Sequence, residues 1–578
     1  MARQRGSASR AQAAFRAQAA SESQDESSGE RVIPAYATLF LHVLVMSLHG
    51  ALTQLMLSPT YGSLNATEHH SKIVFVGNMV GAFVMTFCPS YDSQVLRLRA
   101  WLPIIPFYFP VIQRLLLSSS NDLGPANGPV VNELVTLMPF YLLSSMYLCA
   151  YLTTNLSDFK DHRWYVIFMI PAVYFATGRV EARLLVWLPK LALYSQYLTK
   201  IWLSLGFSVL GLAQSNLAIA ATALPALSHT LQRNPHLEWR PIRALPSVEK
   251  SGYSLIDRKE SITGYISVLE NNELAYRVLR CDHSLLGGEW LLTENAIAQG
   301  ITGTEPVYAV FEMLEAVRLI ETTNKKLDSE KKALVIGLGI GTAPKALLAH
   351  GIDTTIVELD PVVHEFATKY FDLPNNHTAY LEDAIGWTQD QVTKNAPQYD
   401  FILHDVFTGG AEPLALFTYQ FITNLQKMLK PNGVIAINYA GSVNARPSKQ
   451  VLNTINNVFE ERCRMFRDLV PDGDNPDSDF VNMVIFCLHP ADSSDREKPT
   501  FRKPVEADYL SSVSRRHQLL PKPENELIFP SADDMSTERI TMLTEANVDS
   551  FSSQQSDNAK KHWKVMREVV VPKVWEQW

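Results

Sequence analysis

Cysteine is scarce in this sequence of 578 residues. The five cysteines are Cys88, Cys149, Cys281, Cys463 and Cys487. Because none of them forms a Cys-X-X-Cys pair, neither a zinc site nor a disulfide framework is expected. This scarcity favours a reducing, cytosolic environment for the part of the chain outside any membrane.

A basic surface is lacking as well. Lys and Arg total 51 against 59 Asp and Glu, which gives a formal net charge of -8 and a pI of about 6.0. Without a positive field to attract nucleic acid, no nucleic-acid partner is expected. The mean hydropathy of -0.02 is that of an average soluble protein, but the apolar residues are concentrated before residue 230. The chain is also too long for one ordinary domain.

Charged residues are sparse in a series of apolar stretches between residues 34 and 226. A membrane-spanning helix needs about 20 mostly apolar residues, and membrane helices tolerate the prolines found in these stretches. The pattern predicts a multi-span helical domain, integral to a lipid bilayer, with about six spans. The six stretches are 35–57, 73–88, 101–117, 131–153, 165–177 and 201–224.

Basic residues between the predicted spans indicate an orientation. Arg97 and Arg99 follow the second span, and Lys160 follows the fourth, whereas segments 58–71 and 118–130 contain neither Lys nor Arg. Basic loops stay on the cytosolic side of a membrane. We therefore expect a cytosolic N-terminus and a cytosolic catalytic domain, with the two uncharged segments on the opposite side.

Two features bear on that orientation. Arg179, Arg183 and Lys190 lie between spans five and six, where basic residues disagree with it. An additional span there would move the C-terminal domain to the other side. Asn65-Ala66-Thr67 is a candidate glycosylation site in the first uncharged segment.

The predicted spans contain no acid at their centres, since Glu133 and Glu181 fall at predicted ends. Buried charge marks transport paths, so the spans are interpreted as an anchor. Residues 1–33 lack the apolar content to fold. Their arginines precede any acid, which is typical of a mitochondrial presequence. A mitochondrial membrane therefore stays open beside the simpler interpretation of a cytosolic tail.

Residues 331–440 contain the pattern of a nucleotide-binding unit. An apolar strand over 333–336 leads into 337–342 (GLGIGT) and then into a helix. Gly337, Gly339 and Gly341 allow a sharp turn and a close approach of a ligand to the backbone. The loop alone fits a dinucleotide and an S-adenosyl nucleotide equally well, but Thr342 stands where the dinucleotide pattern has a glycine.

Acidic residues follow three further predicted strands. Glu358 and Leu359 come after the strand at 354–357, where a carboxylate accepts hydrogen bonds from ribose hydroxyls. Asp383 and Ala384 follow the next strand, with Asp383 placed to meet an adenine amino group. Asp405 follows the strand at 399–404 and reaches the edge where ligands of open α/β sheets bind. These residues are the predicted cofactor site, with Asp405 as the catalytic candidate and helix capping as its structural alternative.

The sequence resembles the spermidine/spermine synthase family, the polyamine aminopropyltransferases, in its divergent membrane-fused branch. The resemblance rests on 357–361 (VELDP), on 382–384 (EDA), on Asp405 and its aromatic loop, and on the strand that ends at Asn438. It covers roughly residues 260–490. It implies S-adenosylmethionine or decarboxylated S-adenosylmethionine as co-substrate, no metal, a small-molecule acceptor such as an amine, and a small β subdomain that closes over the acceptor.

This sequence departs from the aminopropyltransferase pattern at three places. Ile340 stands where the family has an acid that holds the donor amine, and Thr408 stands in place of a second acid in the catalytic loop. The substrate-facing Gln after the second strand of the β subdomain is missing; Asp282 and His283 stand there, as turn residues or as part of a lid. Three hypotheses follow: an aminopropyltransferase-like enzyme of polyamine synthesis, a methyltransferase on the same scaffold, and a non-catalytic nucleotide sensor.

The expected fold is a multi-span α-helical membrane domain followed by an α/β Rossmann-like domain of the class I S-adenosylmethionine-dependent transferases, with a small N-terminal β subdomain. Apolar residues in 560–578 predict a helix, broken at Pro572, that docks on the catalytic domain or lies on a membrane surface. The alternative of a homodimer stays open. The predicted segments are a tail at 1–33, a membrane domain at 34–226, a linker at 227–250, the β subdomain and lead-in helix at 251–330, the nucleotide domain at 331–490 and a C-terminal extension at 491–578.

Overall fold

The structure is a computed structural model of the whole chain. The predicted tail at 1–33, much of the linker, and Arg163 and Thr408 lie outside the described residues. The described residues are 36–162, 164–237, 246–322, 326–394, 397–407, 413–468, 480–490, 497–529 and 541–578.

The N-terminal half is a bundle of helices whose apolar side chains pack against one another. Short 3-10 turns connect several of them, and one such stretch, Leu102–Tyr108, leads into α5. The helices are α1 Tyr36–Tyr61, α2 Ser63–Thr67, α3 His70–Phe87, α4 Asp92–Val95, α5 Phe109–Leu117, α6 Ser120–Val135, α7 Leu137–Asn155, α8 Ser157–Asp161, α9 Tyr165–Leu191, α10 Lys200–Gly211, α11 Leu217–Ala221 and α12 Leu224–Arg233.

Three of the described helical stretches are long and apolar enough to cross a membrane: 36–61, 63–87 and 120–155; a bent pair over 89–117 could form a fourth. Two predicted spans differ from the structure. The fifth, at 165–177, is only the first half of α9, which runs to Leu191. The sixth, at 201–224, is broken between α10 and α11, where Asn216 caps the new helix by accepting from the Ile219 N–H.

Buried charge joins three helices of the bundle. His70 of α3 lies with Nδ1 2.9 Å from Glu133 Oε1 and Nε2 3.0 Å from Glu181 Oε2. Tyr141 donates a further hydrogen bond to Glu181. Glu181 therefore lies inside α9 rather than at the end of a span. The sequence predicted that Glu133 and Glu181 both lie at span ends, and this prediction was wrong for Glu181. The hydrophobic pattern predicted only the first half of α9, because Arg179 and Arg183 interrupt its run of apolar residues.

The β subdomain is a five-stranded antiparallel sheet in the order β1-β2-β3-β4-β5. Its central strands are covered on both faces: Ile266, Val268 and Leu279 pack into one buried cluster, and Leu269 and Val278 pack into another. Short helices α13 Pro246–Glu249, α14 Glu294–Ala298 and α15 Ala309–Leu314 flank it. The strands are β1 Tyr253–Ser261, β2 Gly264–Asn271, β3 Tyr276–Cys281, β4 Ser284–Trp290 and β5 Glu305–Pro306.

The nucleotide domain contains an eight-stranded sheet in the order β13-β11-β12-β10-β9-β6-β7-β8. The five strands from β10 to β8 are parallel, and β11 to β13 are antiparallel additions. The strands are β6 Lys332–Ile336, β7 Asp353–Val357, β8 Thr378–Tyr380, β9 Tyr399–His404, β10 Leu429–Ser442, β11 Cys463–Arg467, β12 Phe480–Leu488 and β13 Glu526–Leu527.

Apolar layers cover both faces of this sheet. Ala333 and Val335 of β6 face one buried cluster, and Leu334 and Ile336 face the other. The two-residue period of a strand therefore explains why β6 is apolar throughout. The helices of the domain are α16 Thr342–Ala349, α17 Pro361–Tyr370, α18 Ala384–Lys394, α19 Tyr419–Met428, α20 Arg446–Val458 and α21 Val513–Gln518.

The C-terminal helices α22 Ser552–Val569 and α23 Pro572–Trp575 lie between the helical bundle and the β subdomain. Trp575 and Trp578 are 0% and 2% exposed. The buried guanidinium of Arg280 donates to the carbonyl oxygens of Val574 (2.9 Å) and Pro59 (2.7 Å). The C-terminal segment therefore ties the bundle to the catalytic half of the chain.

Cys463 and Cys487 form a disulfide, so the sequence-based expectation that no disulfide is present was wrong. The two residues are directly opposite on the antiparallel strands β11 and β12, with a Cα–Cα distance of 4.2 Å. Both are buried. Spacing along the chain could not reveal this pairing, because a strand register brings the two thiols together.

Candidate functional site

The glycine loop between β6 and α16 is held against two other segments. Gly337 has φ 82°, and a Cβ there would lie 1.9 Å from the carbonyl oxygen of Asp405. Gly339 has φ 56°, and its Cβ would lie 2.4 Å from the carbonyl oxygen of Leu286 in β4. Both positions therefore require glycine on grounds of conformation and of space. Gly341 caps α16 in a left-handed conformation.

Glu358 lies directly after β7 and is buried. Its Oε1 accepts a hydrogen bond of 2.8 Å from the Asp360 N–H. Burial raises the pKa of Glu358 to about 8, although backbone N–H donors counteract this. The carboxylate has capacity left for a ligand, since an ionised Glu accepts up to four hydrogen bonds. Leu359, beside it, is 40% exposed and forms part of the same wall.

Asp383 and Ala384 follow β8 at the start of α18. Asp383 Oδ1 accepts from the Ile385 N–H at 3.2 Å. Among the described residues, none forms a hydrogen bond with the other carboxylate oxygen of Asp383. This position lies beside Glu358 along the carboxyl edge of the parallel strands, as the sequence predicted.

Asp405 directly follows β9 and lies next to the glycine loop. Its N–H donates to the Ile336 carbonyl at 2.8 Å, and its Oδ1 accepts from Asn438 Nδ2 at 2.8 Å. Burial raises the pKa of Asp405 to about 6, and the Asn438 hydrogen bond opposes the shift. A carboxylate with such a pKa is charged at neutral pH and can still accept a proton.

These residues line one cavity of ≈ 600 Å³. Gly337, Gly339, Glu358, Leu359 and Asp383 lie on one side, together with Ala384, and Asp405 and Asn438 lie further along. The size is within the range of pockets for a nucleotide-sized ligand. Gly341 is not among the lining residues; it shapes the loop from behind.

The C-terminal helix α22 provides a wall that sequence reasoning missed. Lys561, His562 and Glu568 line the cavity opposite the strand edge. The His562 ring lies 4.9 Å from that of Phe407, and its Nε2 lies 3.2 Å from Ser284 Oγ. Burial lowers the pKa of His562 to about 4. The sequence indicated a docked helix, but nothing in its spacing indicated that the helix faces the site.

Three residues singled out from the sequence lie elsewhere. Ile340 is 2% exposed and packs against Gly287 rather than lining the cavity. Asp282 is in a tight turn with φ 45° and accepts from the Tyr265 N–H. His283 is stacked between Trp563 and Trp575. The turn interpretation of Asp282 and His283 therefore describes the structure better than the lid interpretation.

The described residues contain no group of three or more His, Cys, Asp and Glu arranged to hold a metal ion. The polar groups that line the cavity include carboxylates, amides, amines, hydroxyls and an imidazole. Such groups can bind a nucleotide, hold a second molecule and accept a proton.

A spermine/spermidine synthase domain model matches residues 309–475. The N-terminal histidine N-methyltransferase of Emericella nidulans is 38% identical over 541 residues, which cover 91% of this chain and 94% of that protein. A polyamine aminopropyltransferase of Vibrio vulnificus is 36% identical over 112 residues, 19% of this chain and 37% of that protein. A probable spermidine synthase structure from Corynebacterium glutamicum has a TM-score of 0.35 and 15% identity, and covers 50% of this chain and 95% of that one.

The sheet order, the glycine loop and the acids at the strand ends define an S-adenosylmethionine-dependent transferase with a spermidine synthase-like nucleotide domain. The extent and identity of the match to the Emericella nidulans enzyme go further. The chain belongs to the family of that N-terminal histidine N-methyltransferase.

Proposed function

We propose that this protein is a membrane-anchored methyltransferase that transfers the methyl group of S-adenosylmethionine to the N-terminal histidine of a polypeptide. One observation carries the proposal. The 38% identity to the Emericella nidulans enzyme extends over 94% of that protein. The match covers 91% of this chain, so it extends well beyond the nucleotide domain, which alone resembles the aminopropyltransferases.

The nucleotide part of the cavity suits an S-adenosyl donor. Glu358 accepts from the ribose hydroxyls, Asp383 meets the adenine amino group, and the glycine loop lets the backbone approach the ligand. Ile340 puts no carboxylate on the loop. The carboxylate that S-adenosylmethionine carries therefore meets no repulsion from that residue.

The remaining part of the cavity suits the end of a polypeptide. Asp405 lines it together with Asp468 and Asn482, and Asn482 Nδ2 lies 3.4 Å from Asp468 Oδ2. A peptide presents a cationic α-ammonium group next to its first side chain. Asp468 and Glu568 are the carboxylates placed to attract that ammonium group, while Asp405 faces the histidine side chain.

In the transfer step, a lone pair of the acceptor nitrogen attacks the methyl carbon. The bond between that carbon and sulfur breaks, and its electron pair stays on sulfur, giving S-adenosylhomocysteine. The attacking ring nitrogen carries no hydrogen, so methylation gives an imidazolium ring. The proton on the other ring nitrogen then passes to Asp405. Asn438 holds Asp405 in position by its hydrogen bond of 2.8 Å, so orientation supplies part of the rate.

The transfer rate should fall at low pH in two steps. Asp405 must be a carboxylate to accept a proton, and burial raises its pKa to about 6. The acceptor imidazole must also be neutral, and its pKa is about 6.5. Below both values the rate should drop about a hundredfold per pH unit, and it should level off above pH 7. Rates at saturating donor measure this profile.

Asp405→Asn is the control for that profile. Its residual activity should keep only the acceptor's ionisation, with about a tenfold loss per pH unit at low pH. If the wild type and the variant share one profile, Asp405 is not the proton acceptor.

The donor preference separates methyl transfer from aminopropyl transfer. The full-length protein should bind S-adenosylmethionine more tightly than decarboxylated S-adenosylmethionine, because Ile340 replaces the acid that would hold a cationic donor amine. Calorimetric titration of both donors measures this difference. A clear preference for the decarboxylated donor, with spermidine formed from putrescine, would favour the aminopropyltransferase alternative.

The exposed side chains of the bundle support the membrane anchor. Phe75, Val80, Phe83 and Phe87 of α3 are at least 41% exposed on one apolar face. That face belongs to the stretch 63–87, one of the three described helical stretches that are long and apolar enough to cross a membrane.

An acceptor panel tests the proposed reaction. Full-length protein with S-adenosylmethionine should add one methyl group to a peptide that begins with His. The same peptide with one residue added before the His is the matched control and should stay unmodified. Equal methylation of both peptides would contradict recognition of the N-terminus.

A further inference from the structure

The two ends of α1 identify the two sides of the helical bundle. Near its beginning, Thr38 donates to Tyr151 Oη at 3.2 Å, and His42 stacks on Tyr147. Tyr147 and Tyr151 lie in the last turns of α7. Near the other end of α1, Thr60 accepts from Trp563 Nε1 at 2.9 Å. If α1 crosses a membrane, its beginning and the C-terminal helices are on opposite sides.

The catalytic half contacts the two uncharged segments. Lys560 donates to Glu68 at 2.9 Å, and Arg567 donates to Ser120 Oγ at 3.0 Å. Segments 58–71 and 118–130 therefore share a side with the catalytic domain. The loop charges predicted that these two segments and the catalytic domain lie on opposite sides of the membrane. In this structure they lie on the same side, so the two parts of that prediction cannot both hold.

Arg97, Arg99 and Lys160, the basic residues on which the predicted orientation rests, lie on the other side of the bundle. Val95 and Leu98, next to Arg97 and Arg99, pack into the cluster that contains the end of α3, the end of α7 and the beginning of α9. Lys160 follows α7 in the same region. Basic loops mark the cytosolic side. The catalytic domain is then on the side that is not cytosolic.

The disulfide agrees with that assignment. Cys463 and Cys487 pair inside the nucleotide domain. Disulfides persist in oxidising compartments and are rare in the cytosol. This observation is independent of the helix directions and of the loop charges.

The catalytic domain also carries an exposed glycosylation sequence. The chain has three Asn-X-Ser/Thr sequences, at Asn65, Asn155 and Asn376. Asn65 is only 3% exposed and donates to the Tyr61 carbonyl at 2.7 Å, so the glycosylation site expected there does not fit the folded protein. Asn376, in Asn376-His377-Thr378, is exposed.

Asn376 lies away from the cavity, so a glycan there would not block it. It lies two residues before β8, at the amino end of that strand. The cavity is at the carboxyl ends of the parallel strands, which is the opposite edge of the sheet. A glycan on Asn376 would therefore project away from donor and acceptor.

We infer that the catalytic domain faces the oxidising, non-cytosolic side of its membrane and that Asn376 is an N-glycan acceptor there. The inference rests on the membrane anchor of the proposed function. It also narrows the acceptor class to polypeptides that have already been translocated across that membrane.

Glycan mapping of the full-length protein in cells that glycosylate Asn tests this inference. The wild type should show a mobility shift that an endoglycosidase removes, and Asn376→Gln should abolish the shift. Asn155→Gln is the matched control on the other side of the bundle, where Asn155 ends α7 exposed, and should leave the shift unchanged. A shift that depends on Asn155 would overturn the orientation.

Protease treatment of sealed microsomes provides the second measurement. A tag before α1 should be digested, while the catalytic domain, detected by an antibody, should survive until detergent is added. Digestion of the catalytic domain without detergent would overturn the inference even if glycan occupancy is low. The readout does not use catalysis: a protected domain without histidine methylation would refute the proposed function alone.

Discussion

Asp405→Asn should reduce methyl transfer by about 10²- to 10⁴-fold, the usual contribution of a positioned acid or base. The amide cannot accept the proton that the methylated imidazole ring loses. Donor affinity should stay within about twofold of the wild type, because Asp405 faces the acceptor part of the cavity and Asn438 can still hold the isosteric side chain. Single-turnover rates at saturating donor, with donor titrations beside them, measure both quantities.

Asp372→Asn is the matched control for this variant. Asp372 is exposed and has φ 54°, a conformation that Asn adopts as readily as Asp. Its substitution should leave both transfer and donor binding unchanged. A folded Asp405→Asn protein with full activity would show that the proton is accepted elsewhere, and His562 would be the next residue to test.

Glu358→Ala should weaken donor binding by about 2–4 kcal/mol, or roughly 30- to 1,000-fold. In the proposed binding mode the carboxylate accepts from two ribose hydroxyls, and the substitution removes both charge-assisted hydrogen bonds together. Titrations above pH 8 keep Glu358 ionised, since burial raises its pKa to about 8. The wild-type affinity should itself improve as the pH rises through that value, because the ionised form is the better acceptor.

Glu382→Ala separates this effect from a general loss of acidic charge. Glu382 is exposed and does not line the cavity, although it lies beside Asp383. Its removal should change donor affinity by less than about 0.5 kcal/mol. If Glu358→Ala folds and binds the donor like the wild type, the ribose contact has been assigned to the wrong residue.

The nucleotide part of the site could be predicted because it depends on local sequence. Each parallel strand delivers its last residues to one edge of the sheet, so Glu358, Asp383 and Asp405 converge whatever the rest of the chain does. Gly337 could be predicted for the same reason. Its required conformation is set by a turn between adjacent elements.

The acceptor part could not be predicted in this way. It is built by α22, which is about 150 residues from Asp405 along the chain and reaches the cavity only because Arg280 and the tryptophans fix the C-terminal segment. The Cys463–Cys487 pair likewise depends on the register of β11 and β12. Ile340 shows the converse case, since a loop residue in the family's ligand-binding position turns into the core.

The helical bundle shows where hydrophobicity alone fails. The hydrophobic pattern of α9 is interrupted in its second half by Arg179, Glu181 and Arg183, although Glu181 is buried against His70. The predicted sixth stretch is interrupted between α10 and α11. Both differences change the number of predicted membrane spans. The orientation predicted from the charges of alternate loops depends on that number.

The most direct test of the account is a competition in one reaction. Full-length protein is given S-adenosylmethionine and decarboxylated S-adenosylmethionine together with a peptide that begins with His and with putrescine, and the products are identified by mass spectrometry. The account predicts a peptide that carries one methyl group on its N-terminal histidine, located by fragmentation, and no spermidine. Spermidine as the product, with an unmodified peptide, would contradict it.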